Sequence, residues 1–464
     1  NNIGLVQHHL KKPNAALAAA RKGRGIQDIR LTYMLSFTSE RERFAYQQTQ
    51  RPYYLLGTLG SAPDLALAVL HNKGIILASM LEDQLVAQAS KDPAIKALAG
   101  QLKSAQHILN KVQLEIPDAR KPKAREAHQA QLKAAMAKVE ELQQKLARNV
   151  KGQGKARRAL AIKPADVRKN LAKDEILLEF IRYWHWLGKG QTQERYGVVV
   201  LAKEGEAQWV PLGAAKEIDE LCQNYGNYLK DRRITDEQYV PLLRSLHDRL
   251  MGPIAKVVPK TAKTWIISPA SQINFVNFAT FLTPKDRFVC EDYTIKYVAS
   301  GRDLVPPKEK KPKTNPRLVV FANPKYQEKP AVRGVASREL GETTLNSGER
   351  NDLRAALLLI LSPLPGTQME ADYLEDKAPD WKLEPRIFVG DEAVERQLYK
   401  VDSPKVLHLA THGMFLEKPI EKKKSRPGLM AILLGKSSTQ RKDFIVRLKN
   451  PMQRSALMFT GATW

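Results

Sequence analysis

The spacing of apolar residues changes near residue 162, and that change sets what this chain can fold into. Upstream, apolar side chains recur at intervals of three and four, as on one face of a helix. Ile95, Leu98, Leu102, Ala105, Leu109 and Val112 form one seam; Leu132, Met136, Val139, Leu142 and Leu146 form another. Ile116-Pro117-Asp118 and Lys121-Pro122 interrupt helix between them. Residues 92–150 therefore read as a helical hairpin, either an antiparallel coiled-coil arm or a pair packed on the body. Residues 1–91 also read as helical, with helix formers at 15–21, 39–50 and 65–88. Gly57 to Asp64 carries loop signals, with Asp64 placed to cap the next helix. No clean repeat period emerges in this region.

Downstream, strand and helix patterns alternate. Residues 175–183, 196–202, 208–211 and 264–268 read as strands, and 217–229 and 239–251 as helices. After a Pro- and Lys-rich linker at 303–316, strands are expected at 318–321 and 386–389, with helices at 350–359, 366–374 and 392–399. Such alternation predicts a mostly parallel sheet covered by helices.

Charge and cysteine content narrow the function classes. Seventy-five Lys and Arg against 49 Asp and Glu give a net charge of +26, which favours nucleic acid or an acidic protein surface as partner. The densest basic runs lie around Lys308–Lys313, Lys422–Arg426 and Lys151–Arg158, in loop sequence without interleaved aromatics. Solvated linkers are the competing reading. Two cysteines, Cys222 and Cys290, argue against a disulfide scaffold and a structural zinc site. No stretch approaches a transmembrane run, and the polar N-terminus does not read as a signal peptide, so a cytoplasmic location is the default. HExxH, a P-loop in register and G-x-S-x-G are all missing.

One segment carries chemistry. Pro404-Lys405-Val406-Leu407-His408-Leu409-Ala410-Thr411-His412-Gly413 is a short apolar run closed by His-Gly. It reads as a buried strand delivering His412 to its C-terminal end, where open α/β sheets build their sites. A histidine there suits a general base, and the N–H of a following glycine suits an oxyanion. The competing reading is a core histidine with satisfied hydrogen bonds. Further blocks accompany it in order: Ile266-Ile267-Ser268-Pro269 leading to Asn274-Phe275-Val276-Asn277-Phe278-Ala279, Tyr293 to Leu304, Phe321-Ala322-Asn323-Pro324, Leu364-Pro365-Gly366-Thr367-Gln368-Met369-Glu370-Ala371, and Phe388-Val389-Gly390-Asp391-Glu392-Ala393.

Together these blocks closely resemble those of CHAT-domain proteins, the caspase- and separase-like cysteine peptidases often found behind tetratricopeptide repeats. Asn277 stands where that pattern has proline. The resemblance covers roughly residues 165–464. It implies an α/β caspase-like fold, a mostly parallel sheet flanked by helices, preceded by an all-α region. A non-catalytic half would span 162–305 and a catalytic half 314–464, with 1–91 a possible remnant of a tetratricopeptide-repeat region. His412 would be the general base and the Gly413 N–H an oxyanion donor. His408, four residues earlier, would be a core histidine or one supporting His412 from behind, while Thr411 would pack away from both.

In this family the nucleophile follows in a Ser-Ala-Cys-Glu-Thr type block. Residues 450–462 resemble the segment just upstream of it, so the nucleophilic cysteine is expected outside this chain, whose two ends read as cut from something longer. Cys222, on an amphipathic helix, and Cys290, at the end of an expected strand, do not resemble that block. The resemblance implies a Cys-His dyad acting without cofactor or metal on a protein substrate. It also implies an activator or assembly partner docking on the N-terminal helices. Two alternatives remain open: a catalytically inactive scaffold, or the protease subunit of a nucleic-acid-guided defence complex. No membrane partner is expected.

Overall fold

The computed structural model describes residues 2–114, 122–151, 158–229, 233–306, 315–326, 361–415 and 455–460. The chain forms two compact units, one of Asn1–Leu102 with Glu140–Pro306 and one of Lys103–Val139 with Pro307–Trp464.

The first unit begins with helices α1 (Asn2–His9), α2 (Pro13–Phe37), α3 (Glu40–Thr49), α4 (Tyr54–Leu59), α5 (Ala62–Asn72) and α6 (Ile75–Ala89). A capping box at Ser39 starts α3: its hydroxyl accepts from the Glu42 N–H, and the Glu42 carboxylate accepts from the Ser39 N–H. The segment read as a loop at 57–64 is instead two helices, broken at Gly60, whose φ of 70° suits glycine. Asp64 sits inside α5 and not at its cap. Its carboxylate accepts from Ser61 Oγ at 2.7 Å and from Arg21 Nε at 3.0 Å. Helices α7 (Pro93–Leu114) and α8 (Pro122–Lys151) follow in the chain, with Lys103–Val139 belonging to the second unit. Their buried residues include Ile95, Leu102, Ala105 and Leu109 on α7 and Val139, Leu142 and Leu146 on α8, all on the seams of three-and-four spacing.

A five-stranded sheet is ordered β3-β2-β1-β4-β5. Its strands are β1 (Glu175–Gly188), β2 (Gln191–Ala202), β3 (Gln208–Ala214), β4 (Thr264–Ser268) and β5 (Thr294–Tyr297). The expectation of a mostly parallel sheet is corrected here. β1–β2 and β2–β3 pair antiparallel, while β1–β4 and β4–β5 pair parallel. Connection length explains it. Gly188, Lys189 and Gly190 reverse the chain with φ of 97°, 50° and 76°, and a reversal that short joins only antiparallel neighbours. Parallel pairing starts where helices α9 (Ala215–Tyr228) and α10 (Asp236–Leu250) supply the crossover.

The sheet is buried on both faces. Ile176, Leu178 and Phe180 of β1 point to a core completed by Ile218, Leu243 and Leu246 of α9 and α10. Leu177, Ile181 and Tyr183 point the other way, against Leu55, Leu56, Leu65, Val69 and Leu70 of α4 and α5. The two-residue period of the strand thus distributes one apolar run between two helical layers. One charged pair lies inside this packing. Lys73 Nζ donates to Glu179 Oε2 at 3.0 Å, to the Phe180 carbonyl at 2.9 Å and to the Ser268 carbonyl at 2.7 Å. Burial pushes the Lys73 ammonium below its usual value, with Glu179 opposing.

In the second unit, β6 (Asn315–Pro324) lies between β7 (Glu384–Gly390) and β8 (Pro404–Ala410) in an all-parallel sheet. Helix α11 (Pro365–Lys377) covers one face through Ala371 and Leu374, packed with Leu318, Val320 and Ala322. Val319, Phe321, Phe388 and Phe459 pack on the other. β9 (Gly413–Phe415) and β10 (Ser455–Leu457) form an antiparallel pair. The expected helix at 350–359 lies outside the described residues. Among the described residues, no single helix is long and apolar enough to cross a membrane.

Candidate active site at the carboxyl end of the second sheet

β8 ends at Ala410, and the chain bends at Thr411 to bring His412 just beyond the sheet. The strand is less buried than its apolar sequence suggests: Val406 is 39% and Leu407 43% exposed. The cause is its position at the edge of the three described strands.

A directed chain of hydrogen bonds fixes the backbone of His412. The Thr411 hydroxyl donates to the Met458 carbonyl. Having given its one proton there, it must accept from the Tyr326 hydroxyl, 3.0 Å away. Tyr326 Oη in turn accepts from the His412 N–H at 3.3 Å. The Met458 N–H closes the circuit on the His412 carbonyl at 2.9 Å. Thr411 therefore does more than pack: its hydroxyl is the middle link. Tyr326 is 2% exposed, and its ring centroid lies 5.1 Å from that of His412.

The imidazole is oriented by a second bond. His412 Nε2 lies 2.9 Å from the Ser362 carbonyl oxygen. A carbonyl only accepts, so Nε2 carries the proton in the neutral ring and Nδ1 keeps its lone pair. Neither Tyr326 nor Ser362 was legible as a site residue. The first is a tyrosine two residues past an Asn-Pro strand end, and the second acts through its backbone.

Gly413 opens β9 and pairs with Leu457. Because the Met458 N–H bonds the His412 carbonyl, antiparallel alternation makes 413–457 a non-hydrogen-bonded pair. The Gly413 N–H then points away from β10. Its backbone does not require glycine, since φ is not positive and an added Cβ would meet Leu457 at an ordinary 3.9 Å.

His408 lies within β8, opposite Val320, with Nε2 3.3 Å from Glu370 Oε1 on α11. The strand ends at Ala410 and the chain bends at Thr411, so no unbroken strand period relates 408 to 412. Among the described residues, no hydrogen bond or ring contact joins the two histidines.

The cysteines lie elsewhere. Cys222 is 1% exposed in the core under α9, where burial pushes its thiol up to about 12, with Asp219 adding to the effect. Cys290 is exposed. It lies on a helical turn, Val289–Asp292, and not on the expected strand, because the Glu291 carboxylate accepts from the Phe288 N–H at 2.6 Å and starts that turn. Among the described residues, no group of three or more His, Cys, Asp or Glu could hold a metal ion.

The family model of the CHAT domain matches residues 240–460. No curated protein matches the chain.

Proposed function

We propose that this chain, which carries a CHAT domain and with it a caspase-like fold, is the histidine-bearing part of a cysteine endopeptidase. The observation that carries the reading is the bond from His412 Nε2 to the Ser362 carbonyl, which leaves Nδ1 as the proton acceptor. In the proposed cycle, Nδ1 takes the proton of a cysteine thiol and the thiolate attacks the scissile carbonyl carbon. The carbonyl oxygen becomes an oxyanion, and the outward Gly413 N–H donates to it. The imidazolium then returns its proton to the leaving amine as the C–N bond breaks. Water, deprotonated by the same Nδ1, hydrolyses the thioester and regenerates the thiol.

Neither Cys222 nor Cys290 fits the nucleophile. The first is kept as a neutral thiol in a core, and the second lies on the helical turn Val289–Asp292, in sequence unlike the nucleophile block of the family. The proposed nucleophile is a cysteine C-terminal to residue 464. Glycine at 413, where the local backbone and space would accept alanine, supports a need for close ligand approach. A protein that docks on the N-terminal helices is the proposed activator.

The test is peptide hydrolysis by the natural gene product containing residues 1–464, with a denatured-protein substrate and a peptide library. His412→Ala is expected to lower the rate by on the order of 10²–10⁴ without changing the far-UV circular dichroism. Hydrolysis unaffected by His412→Ala, or no hydrolysis by a correctly folded product with its partners present, overturns the reading. The second outcome would leave a scaffold with a caspase-like fold.

A further inference from the structure

A half-open cleft of about 990 Å³ lies in the first unit, between α3–α6 and the sheet. Its floor is the carboxyl ends of β4 and β5, through Pro269–Ser271 and Tyr297–Ala299, and the stretch of β1 that runs past them. In α/β sheets, the carboxyl ends of parallel strands are where ligands bind. The volume is at the upper end of ordinary small-molecule sites.

The lining chemistry is one-sided. Arg51, Lys73 and Arg182 contribute to it, and no Asp or Glu does among the described residues. Two of these cations are already committed. Lys73 gives its three protons to Glu179 and two carbonyls. Arg182 pairs with Glu194 and Asp219 and donates to Ser271 Oγ. Arg51 differs. It is exposed, lies with its guanidinium 5.0 Å over the Trp184 ring, and meets no carboxylate among the described residues. A guanidinium above an aromatic ring and paired with no carboxylate has N–H groups to offer a phosphate. Tyr46, Tyr53, Tyr297 and Trp184 also line the cleft, as do Gln47 and Asn274. Aromatic faces and a stacked arginine accept a planar base, and amides can read its edge.

We propose that this cleft binds a nucleotide, its phosphate on the edge of Arg51 and its base against the aromatic wall. The site is separate from the His412 site and independent of whether the chain is a peptidase. Because α3–α6 and the sheet form its two walls, an occupant would also tie the N-terminal helices to the sheet.

The experiment is equilibrium titration of the purified chain with ATP and GTP, read by Trp fluorescence and calorimetry, with tripolyphosphate and adenosine as separate parts. Saturable one-to-one nucleotide binding is expected, tighter than for either part. Arg51→Ala, a surface change, should weaken it by about tenfold or more, the loss typical of one charge-assisted contact. Arg51→Lys should restore only part, since it keeps charge and loses the guanidinium fork. Tripolyphosphate binding as tight as ATP, or ATP binding untouched by Arg51→Ala, would mean general attraction to a chain of net charge +26 and overturn the proposal. The absence of saturable binding would overturn it as well.

Discussion

His412 and Cys222 show how surroundings assign opposite chemistry to two reactive side chains. The His412 ring is held by a carbonyl that fixes its tautomer. Cys222 is held by a hydrocarbon core that forbids its charge, pushing the thiol from near 9.0 to about 12. A raised pKa in the fold contributes stability that is complete below about pH 9 and lost as pH rises toward 12. At pH 8, a thiol reagent should therefore modify Cys290 quickly and Cys222 only on unfolding: one equivalent in native protein, two in denaturant. Two fast equivalents in native protein would contradict the buried placement. The position of His412 and Gly413 just beyond an apolar strand was legible in the sequence. Their supports were not, because a backbone carbonyl at Ser362 and a hydroxyl relay through Tyr326 leave no mark in residue spacing.

The elements were legible where one physical rule governs them. β4 matched its expected bounds of 264–268, since a short apolar run between turn signals has few other fates. The direction of β2 and β3 was missed, because alternation of strands and helices said parallel while the Gly188-Lys189-Gly190 reversal said antiparallel. The helix at 54–59 was missed, and the helix at 62–72 starts three residues before its expected start at 65, because glycine and proline there mark a helix end and a helix start, not a loop. The Lys73–Glu179 pair joins the α5–α6 turn to β1 and β4, and its energetics belong to that junction. Lys73→Ala would leave a carboxylate buried at 1% exposure without its cation. The expected cost is about 3–5 kcal/mol, seen as a lower midpoint in urea denaturation. A change below about 1 kcal/mol, the range of exposed pairs, would contradict the burial.

At the scale of the whole molecule, the match to the CHAT-domain family model over residues 240–460 spans the second unit's parallel sheet and part of the first unit. Both units place a cleft or a histidine at the carboxyl ends of parallel strands, and among the described residues the second offers an oriented imidazole beside an outward backbone N–H. The central claim is a Cys-His dyad built on His412. Its most direct test is covalent labelling of the natural gene product with an electrophilic peptidyl probe, followed by mass mapping of the labelled residue. The expected result is a single labelled cysteine, neither Cys222 nor Cys290, whose labelling collapses in His412→Ala. Label on Cys222 or Cys290, or label that persists without His412, would contradict the account.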